Sequence, residues 1–61
     1  MNEYEFEFSL EDGWYSTYRT WAPNKLTAYE NLTAFLKERN EDPEKAIVLN
    51  CYVAVAEEEE G

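Results

Sequence analysis

The sequence predicts an α+β domain of β-β-α-β order, in which a three-stranded antiparallel sheet carries one helix on one face. Residues 3–8 alternate strictly between acid and aromatic, Asp12 and Gly13 then form a turn signal, and an apolar stripe of helical period follows Pro23. We expect residues 1–56 to form this single small domain. Residues 57–61 should form a disordered acidic tail, because like charge and low hydrophobicity oppose folding.

The first predicted strand has two faces of opposite chemistry. Side chains alternate sides along a strand with a period of two, so its aromatic and acidic residues separate onto different faces. The core face should hold Tyr4, Phe6, Phe8 and Leu10. The opposite face should hold Glu3, Glu5 and Glu7, a row that we call the acid ladder.

The register of the second predicted strand, residues 14–21, depends on the turn before it. A two-residue turn pairs Glu11 with Trp14, whereas a three-residue turn with a bulge pairs Leu10 with Trp14. With the shorter turn, the side chains that face the core are Tyr15, Thr17, Arg19 and Trp21. With the longer turn, the side chains that face the core are Trp14, Ser16 and Tyr18.

The longer turn is preferred because of Arg19. It keeps this cation out of the core and near Glu5 or Glu7, where a charge is not stranded in an apolar environment. In both registers the face that carries the acid ladder, which we call the acid face, also carries two large aromatic residues. These are Tyr15 and Trp21 in the preferred register, and Trp14 and Tyr18 in the other.

A helix is predicted between the second and third strands. Residues 22–23 end the second strand, because proline lacks the ladder donor. Asn24 could cap the helix, or the capping box of residues 27–30 could start it one turn later. Asn40 is a suitable end before a turn at residues 41–43. The stripe that should cover the sheet consists of Ala28, Leu32, Phe35 and Leu36, with Tyr29 at its edge.

The third predicted strand comprises residues 46–56. If a right-handed crossover returns it beside the first strand, the sheet order is 2-1-3 and wholly antiparallel. Strict alternation assigns to the core Ile47, Leu49, Cys51, Val53 and Val55. It assigns to the acid face Val48, Asn50, Tyr52 and Ala54.

The net charge restricts the classes of partner. The chain carries 14 acidic and 5 basic residues, for a formal net charge of -9. Direct binding to nucleic acid or to an anionic membrane is disfavoured, since both need a surface of lysine and arginine. A basic protein surface is favoured. No signal-peptide or membrane-span pattern is present, so we expect a cytoplasmic protein.

Catalytic and metal-dependent functions find little support in the sequence. There is no histidine and one cysteine, Cys51, which excludes an internal disulfide, a Cys/His zinc site and any histidine-based triad or dyad. The carboxylates lie on an open ladder where nothing indicates a pocket that would perturb a pKa. We therefore predict a non-enzymatic protein without cofactor or metal.

The organisation of residues 3–56 resembles small acidic phage-encoded DNA-mimic inhibitors, such as those of uracil-DNA glycosylase. A strand repeats its glutamates about every 6.6 to 6.8 Å, a regular row of anions suited to a groove built for phosphates. The resemblance implies an inhibitor or regulator of a basic DNA- or RNA-handling protein. The predicted partner-binding residues are Glu3, Glu5, Glu7, Tyr15, Trp21, Val48 and Tyr52. The alternative is a structural or adaptor module that forms a homodimer through its open sheet face.

Overall fold

The computed structural model describes residues 1–56, which form three strands, one α-helix and one short 3-10 helix. The elements are β1 (Asn2–Ser9), β2 (Tyr15–Ala22), α1 (Lys25–Glu38) and β3 (Ile47–Ala56), with the 3-10 turn Pro43–Lys45 before β3. The strand order is β2-β1-β3, and both pairings are antiparallel. The predicted α+β class, element order and sheet order are thus confirmed. The predicted acidic tail, residues 57–61, lies outside the described residues.

The hairpin between β1 and β2 has the longer of the two predicted turns. The Leu10 amide donates to the Trp14 carbonyl at 2.9 Å, and Gly13 closes the turn with a positive φ of 87°. The Asp12 carboxylate accepts a hydrogen bond from the Trp14 amide at 3.0 Å. This register places Arg19 opposite Glu5, as preferred from the sequence. The prediction that Trp14 faces the core is wrong, because it lies in the connection before β2 begins and is 72% exposed.

The core lies between the sheet and α1. Its two fully buried large side chains are Phe6 and Phe8. The buried apolar residues are Tyr4, Phe6, Phe8, Ala22, Ala28, Leu32 and Leu36. Aromatic rings extend this core at its margin, where the Tyr18 ring stacks on that of Phe35 with centroids 4.4 Å apart. The helix therefore covers β1 and β2 with the apolar stripe that the sequence predicted.

The two ends of α1 are determined by asparagine residues. The Asn24 side chain accepts a hydrogen bond from the Thr27 amide at 2.9 Å, so the helix begins at the earlier of the two predicted starts. Asn40 adopts a left-handed conformation with φ 61°, and the Glu41 amide then donates to the Leu36 carbonyl at 2.9 Å. This is a Schellman ending, which satisfies carbonyls of the last turn and redirects the chain toward β3.

Two bulges in the pairing of β1 with β3 change which faces the β3 side chains occupy. The register shifts between Glu3 and Tyr4 and again between Glu7 and Phe8. Each bulge adds one residue to β3, and one added residue reverses the alternation beyond it. Val48 consequently lies opposite Phe8 and packs against the core. Its predicted place on the acid face is wrong.

The same bulges expose side chains that the sequence assigned to the core. Ile47 lies opposite Ser9 and Val55 opposite Glu3, so both belong to the acid side of the sheet. Val53 is on the helix side, but it is exposed because α1 packs against β2 rather than β3. Of the five residues predicted for the β3 core face, Cys51 is half-buried against the core. The other four are exposed: Ile47, Leu49, Val53 and Val55.

Candidate functional site

The side of the sheet away from α1, which we call the open face, combines all three strands. β1 contributes the acid ladder of Glu3, Glu5 and Glu7. The residues of β2 that share this side are Tyr15, Thr17, Arg19 and Trp21. Those of β3 are Ile47, Leu49, Asn50, Tyr52 and Val55. Six of the seven predicted partner-binding residues therefore share this face, and Val48 is the exception.

Glu5 is the centre of the open face and is held by both neighbouring strands. It lies opposite Arg19 of β2 and opposite Tyr52 of β3. The Arg19 Nε donates to Oε1 of Glu5 at 2.5 Å, and the Tyr52 hydroxyl donates to Oε2 at 2.5 Å. Each carboxylate oxygen thus has its own donor. Because Glu5 is only 9% exposed, these two bonds offset the cost of removing its charge from water.

The protonation states of Glu5, Arg19 and Tyr52, which we call the trio, follow from the same two bonds. The hydrogen bond from Tyr52, followed by that from Arg19, holds the pKa of Glu5 below its ordinary value, although partial burial acts in the opposite direction. The hydrogen bond to Glu5 raises the pKa of Arg19 and also raises the pKa of Tyr52. At neutral pH the trio is therefore a carboxylate, a guanidinium and a neutral phenol.

The acid ladder is less negative than its sequence indicates. Arg19 Nη1 also lies 3.7 Å from Oε1 of Glu3, so one cation serves two of the three glutamates. Three carboxylates and one guanidinium leave a formal charge of -2 on this row. Glu7 has no ion pair within residues 1–56, and its carboxylate is the one least compensated by the protein itself.

Aromatic side chains stand at both ends of β2 and in the middle of the open face. Tyr15 and Trp21 lie six positions apart on one strand, about 20 Å at the usual rise per residue. They flank the ladder and are not in contact. Tyr52 lies across the sheet on β3, opposite Glu5, and its hydroxyl is bonded to that carboxylate. The open face thus carries aromatic side chains toward both ends and a polar pairing at its centre.

No family model, curated protein or solved structure matches this chain. In the part of the chain that the structure describes, no group of three or more histidine, cysteine, aspartate or glutamate residues is placed to hold a metal ion. Among the same residues, no helix is both long enough and apolar enough to cross a membrane.

Sequence reasoning missed three aliphatic residues of the open face. Ile47, Leu49 and Val55 were assigned to the core because strict alternation contains no sign of a bulge. Leu49 also lines a cleft of about 580 Å³ near the hairpin end of the sheet. The other residues of this cleft are Glu7, Tyr15, Ser16 and Thr17. The open face is therefore more apolar, and less evenly acidic, than the sequence indicated.

Proposed function

We propose that this protein is a non-enzymatic binding protein whose open face takes the basic surface of a partner protein. The observation that carries the proposal is the exposure of large apolar side chains around the acid ladder. Tyr15 is 77% exposed and Ile47 is 62% exposed, and the helix covers the opposite side of the sheet. Clusters of large exposed apolar and aromatic side chains are typical of protein interaction sites.

Charge favours a basic partner. The chain has a net charge of -9, which would steer it toward a positively charged surface and away from a negatively charged one. Grooves that bind nucleic acid supply such a surface, because they are lined with lysine and arginine. We therefore propose an inhibitor or regulator of a DNA- or RNA-handling protein, acting in the cytoplasm.

The acid ladder carries less net negative charge than three unpaired glutamates would, so it mimics the charge of DNA less closely. Arg19 offsets part of the ladder, and the glutamate that it binds is largely buried. Steering would come from the charge of the whole chain, and contact would come mainly from Tyr15, Trp21 and Glu7. Aromatic residues are the usual anchors of interfaces, since they bury a large area with few rotatable bonds.

A second candidate function is a structural or adaptor module that forms a homodimer through the open face. The exposed aliphatic residues Ile47, Leu49 and Val55 on that side of β3 favour it. The charge of each copy opposes it, because two chains of charge -9 repel one another. Sedimentation of the protein at low and high salt distinguishes the two functions. A dimer that forms and persists at high salt supports the homodimer.

The proposed function is tested by using the protein as bait for basic proteins of a cell lysate. The informative variant is Tyr15→Ser combined with Trp21→Ser. The matched control is Leu26→Ser, because Leu26 lies on the helix and is 71% exposed, close to the 77% of Tyr15. We expect nucleic-acid-binding proteins to be retained by the parent and by the control, to be lost from the double variant, and to be displaced by duplex DNA. Retention of the same proteins by all three baits would contradict the proposal.

A further inference from the structure

The cleft at the hairpin end of the open face combines charged, polar and apolar side chains. It has a volume of about 580 Å³, and the open-face side chains around it are one glutamate, one tyrosine, one threonine and one leucine. The lining residues are Glu7, Tyr15, Ser16, Thr17 and Leu49. Leu49 is the residue that the bulge beside Glu7 adds to β3. Bulges commonly redirect a side chain in this way.

Comparison of the positions opposite Glu5 and Glu7 shows that the cleft lacks a cation. At the Glu5 rung, β2 supplies Arg19 as the directly opposite residue, and the guanidinium binds the carboxylate. At the Glu7 rung the opposite residue of β2 is Thr17, which carries no charge. The β3 residue opposite Glu7 is Asn50, also neutral. Thr17 thus occupies, beside Glu7, the position that Arg19 occupies beside Glu5. Within residues 1–56, no cation pairs with Glu7.

We propose that this cleft receives an arginine side chain of the partner protein. The guanidinium would bind the Glu7 carboxylate, its stem would lie along Leu49, and its plane would face the Tyr15 ring. Arginine fits better than lysine, because its planar fork pairs with a carboxylate through two hydrogen bonds and stacks on aromatic rings. This inference rests on the proposed function and names the residue by which the basic partner is recognised.

The test uses N-acetyl-arginine amide as the probe and its citrulline analogue as the neutral isostere. Both are titrated into the isotope-labelled protein, and the NMR signals of Tyr15, Thr17 and Leu49 are followed. We expect the arginine probe to move these signals up to about fivefold more than the citrulline probe at equal concentration, the upper end of the ratio that one exposed ion pair provides. Equal responses to the two probes would overturn the inference. This comparison uses the parent protein and needs no variant to fold.

A pair of variants places the interaction on Glu7. Glu7→Gln should reduce the response to the arginine probe about fivefold, whereas Glu30→Gln, a change of the same charge on the exposed surface of α1, should leave it unchanged. Equal responses from the two variants would overturn the inference, because the probe would then sense only net charge. The amide spectra recorded in the same titrations report whether each variant is folded.

The outcome of this test is separable from that of the proposed function. If the arginine probe leaves the cleft signals unmoved while capture of basic proteins still depends on Tyr15 and Trp21, the inference fails and the proposed function stands. If the probe binds the cleft through Glu7 but no protein is captured through the open face, the cleft is a guanidinium site, and the proposed function and the partner's arginine both fail.

Discussion

Tyr52 of β3 donates its hydroxyl hydrogen to Glu5 of β1, although the two residues are 47 positions apart in the chain. The remaining oxygen of the same carboxylate accepts a hydrogen bond from Arg19 of β2. One glutamate thus connects all three strands across the open face. A buried anion with two donors specifies the register of both strand pairs, because a shift of one residue in either pair would remove one of the two bonds.

Glu5→Gln should destabilise the fold more than Glu7→Gln does. The glutamine amide has one oxygen and one NH₂ group, so it cannot accept from Arg19 and Tyr52 with both of its terminal atoms. Glu7 has no such pair of donors within residues 1–56. Urea unfolding of the two variants measures the difference. If both variants unfold at the same denaturant concentration, Glu5 is an ordinary exposed residue of the ladder.

Stability should fall in acid through Glu5. Its pKa is lowered in the folded state by the bonds from Tyr52 and Arg19, so folding favours the deprotonated form. The resulting stabilisation is fully present above the ordinary pKa of 4.5 and is lost as the pH falls through the lower, folded-state pKa. Thermal unfolding of the parent and Glu5→Gln across this range checks it. The gap between their melting temperatures should narrow with acidification, and a gap independent of pH would contradict the prediction.

Tyr52→Phe should raise the pKa of Glu5. The hydrogen bond from Tyr52 is the largest cause of its lowered pKa, and phenylalanine keeps the ring while removing the donor. An NMR titration of the Glu5 carboxyl carbon in parent and variant measures the two values. The variant should titrate at the higher pH. Superimposable titration curves would mean that the tyrosine hydroxyl is not bonded to this carboxylate in solution.

Phe6→Ala and Leu32→Ala should each destabilise the domain by about 2 to 5 kcal/mol, the usual cost of truncating a buried large side chain. Both residues belong to the core between the sheet and α1. A loss of that size is comparable to the whole stability of a small domain. Circular dichroism should therefore detect a largely unfolded Phe6→Ala variant. Native melting behaviour in this variant would contradict the predicted strand faces.

The sequence predicted what depends on local pattern. The alternation of β1, the turn at Gly13, the Asn24 cap and the Asn40 ending all have a chemical cause within a few neighbouring residues. The preferred hairpin register was also correct, because burial of Arg19 would have been costly. These features were sufficient for the fold class, whereas the sheet order also required that a right-handed crossover return the third strand beside the first.

The faces of β3 could not be predicted in the same way. Bulges arise from the fit between β1 and β3, and no residue of β3 alone indicates where the extra residues lie. Val48 was therefore assigned to the acid face, and Leu49 was assigned to the core. The hydrogen bond from Tyr52 to Glu5 was missed for a similar reason, since the two residues meet only after the sheet has formed.

The central claim, that the open face is the binding surface, is tested most directly by an NMR footprint of the labelled protein with a basic protein captured by it. Backbone amide signals are compared with and without the partner. We expect the largest changes at Glu7, Tyr15, Trp21 and Leu49, and little change along the exposed side of α1. Changes confined to α1, with the open-face signals unmoved, would contradict the claim.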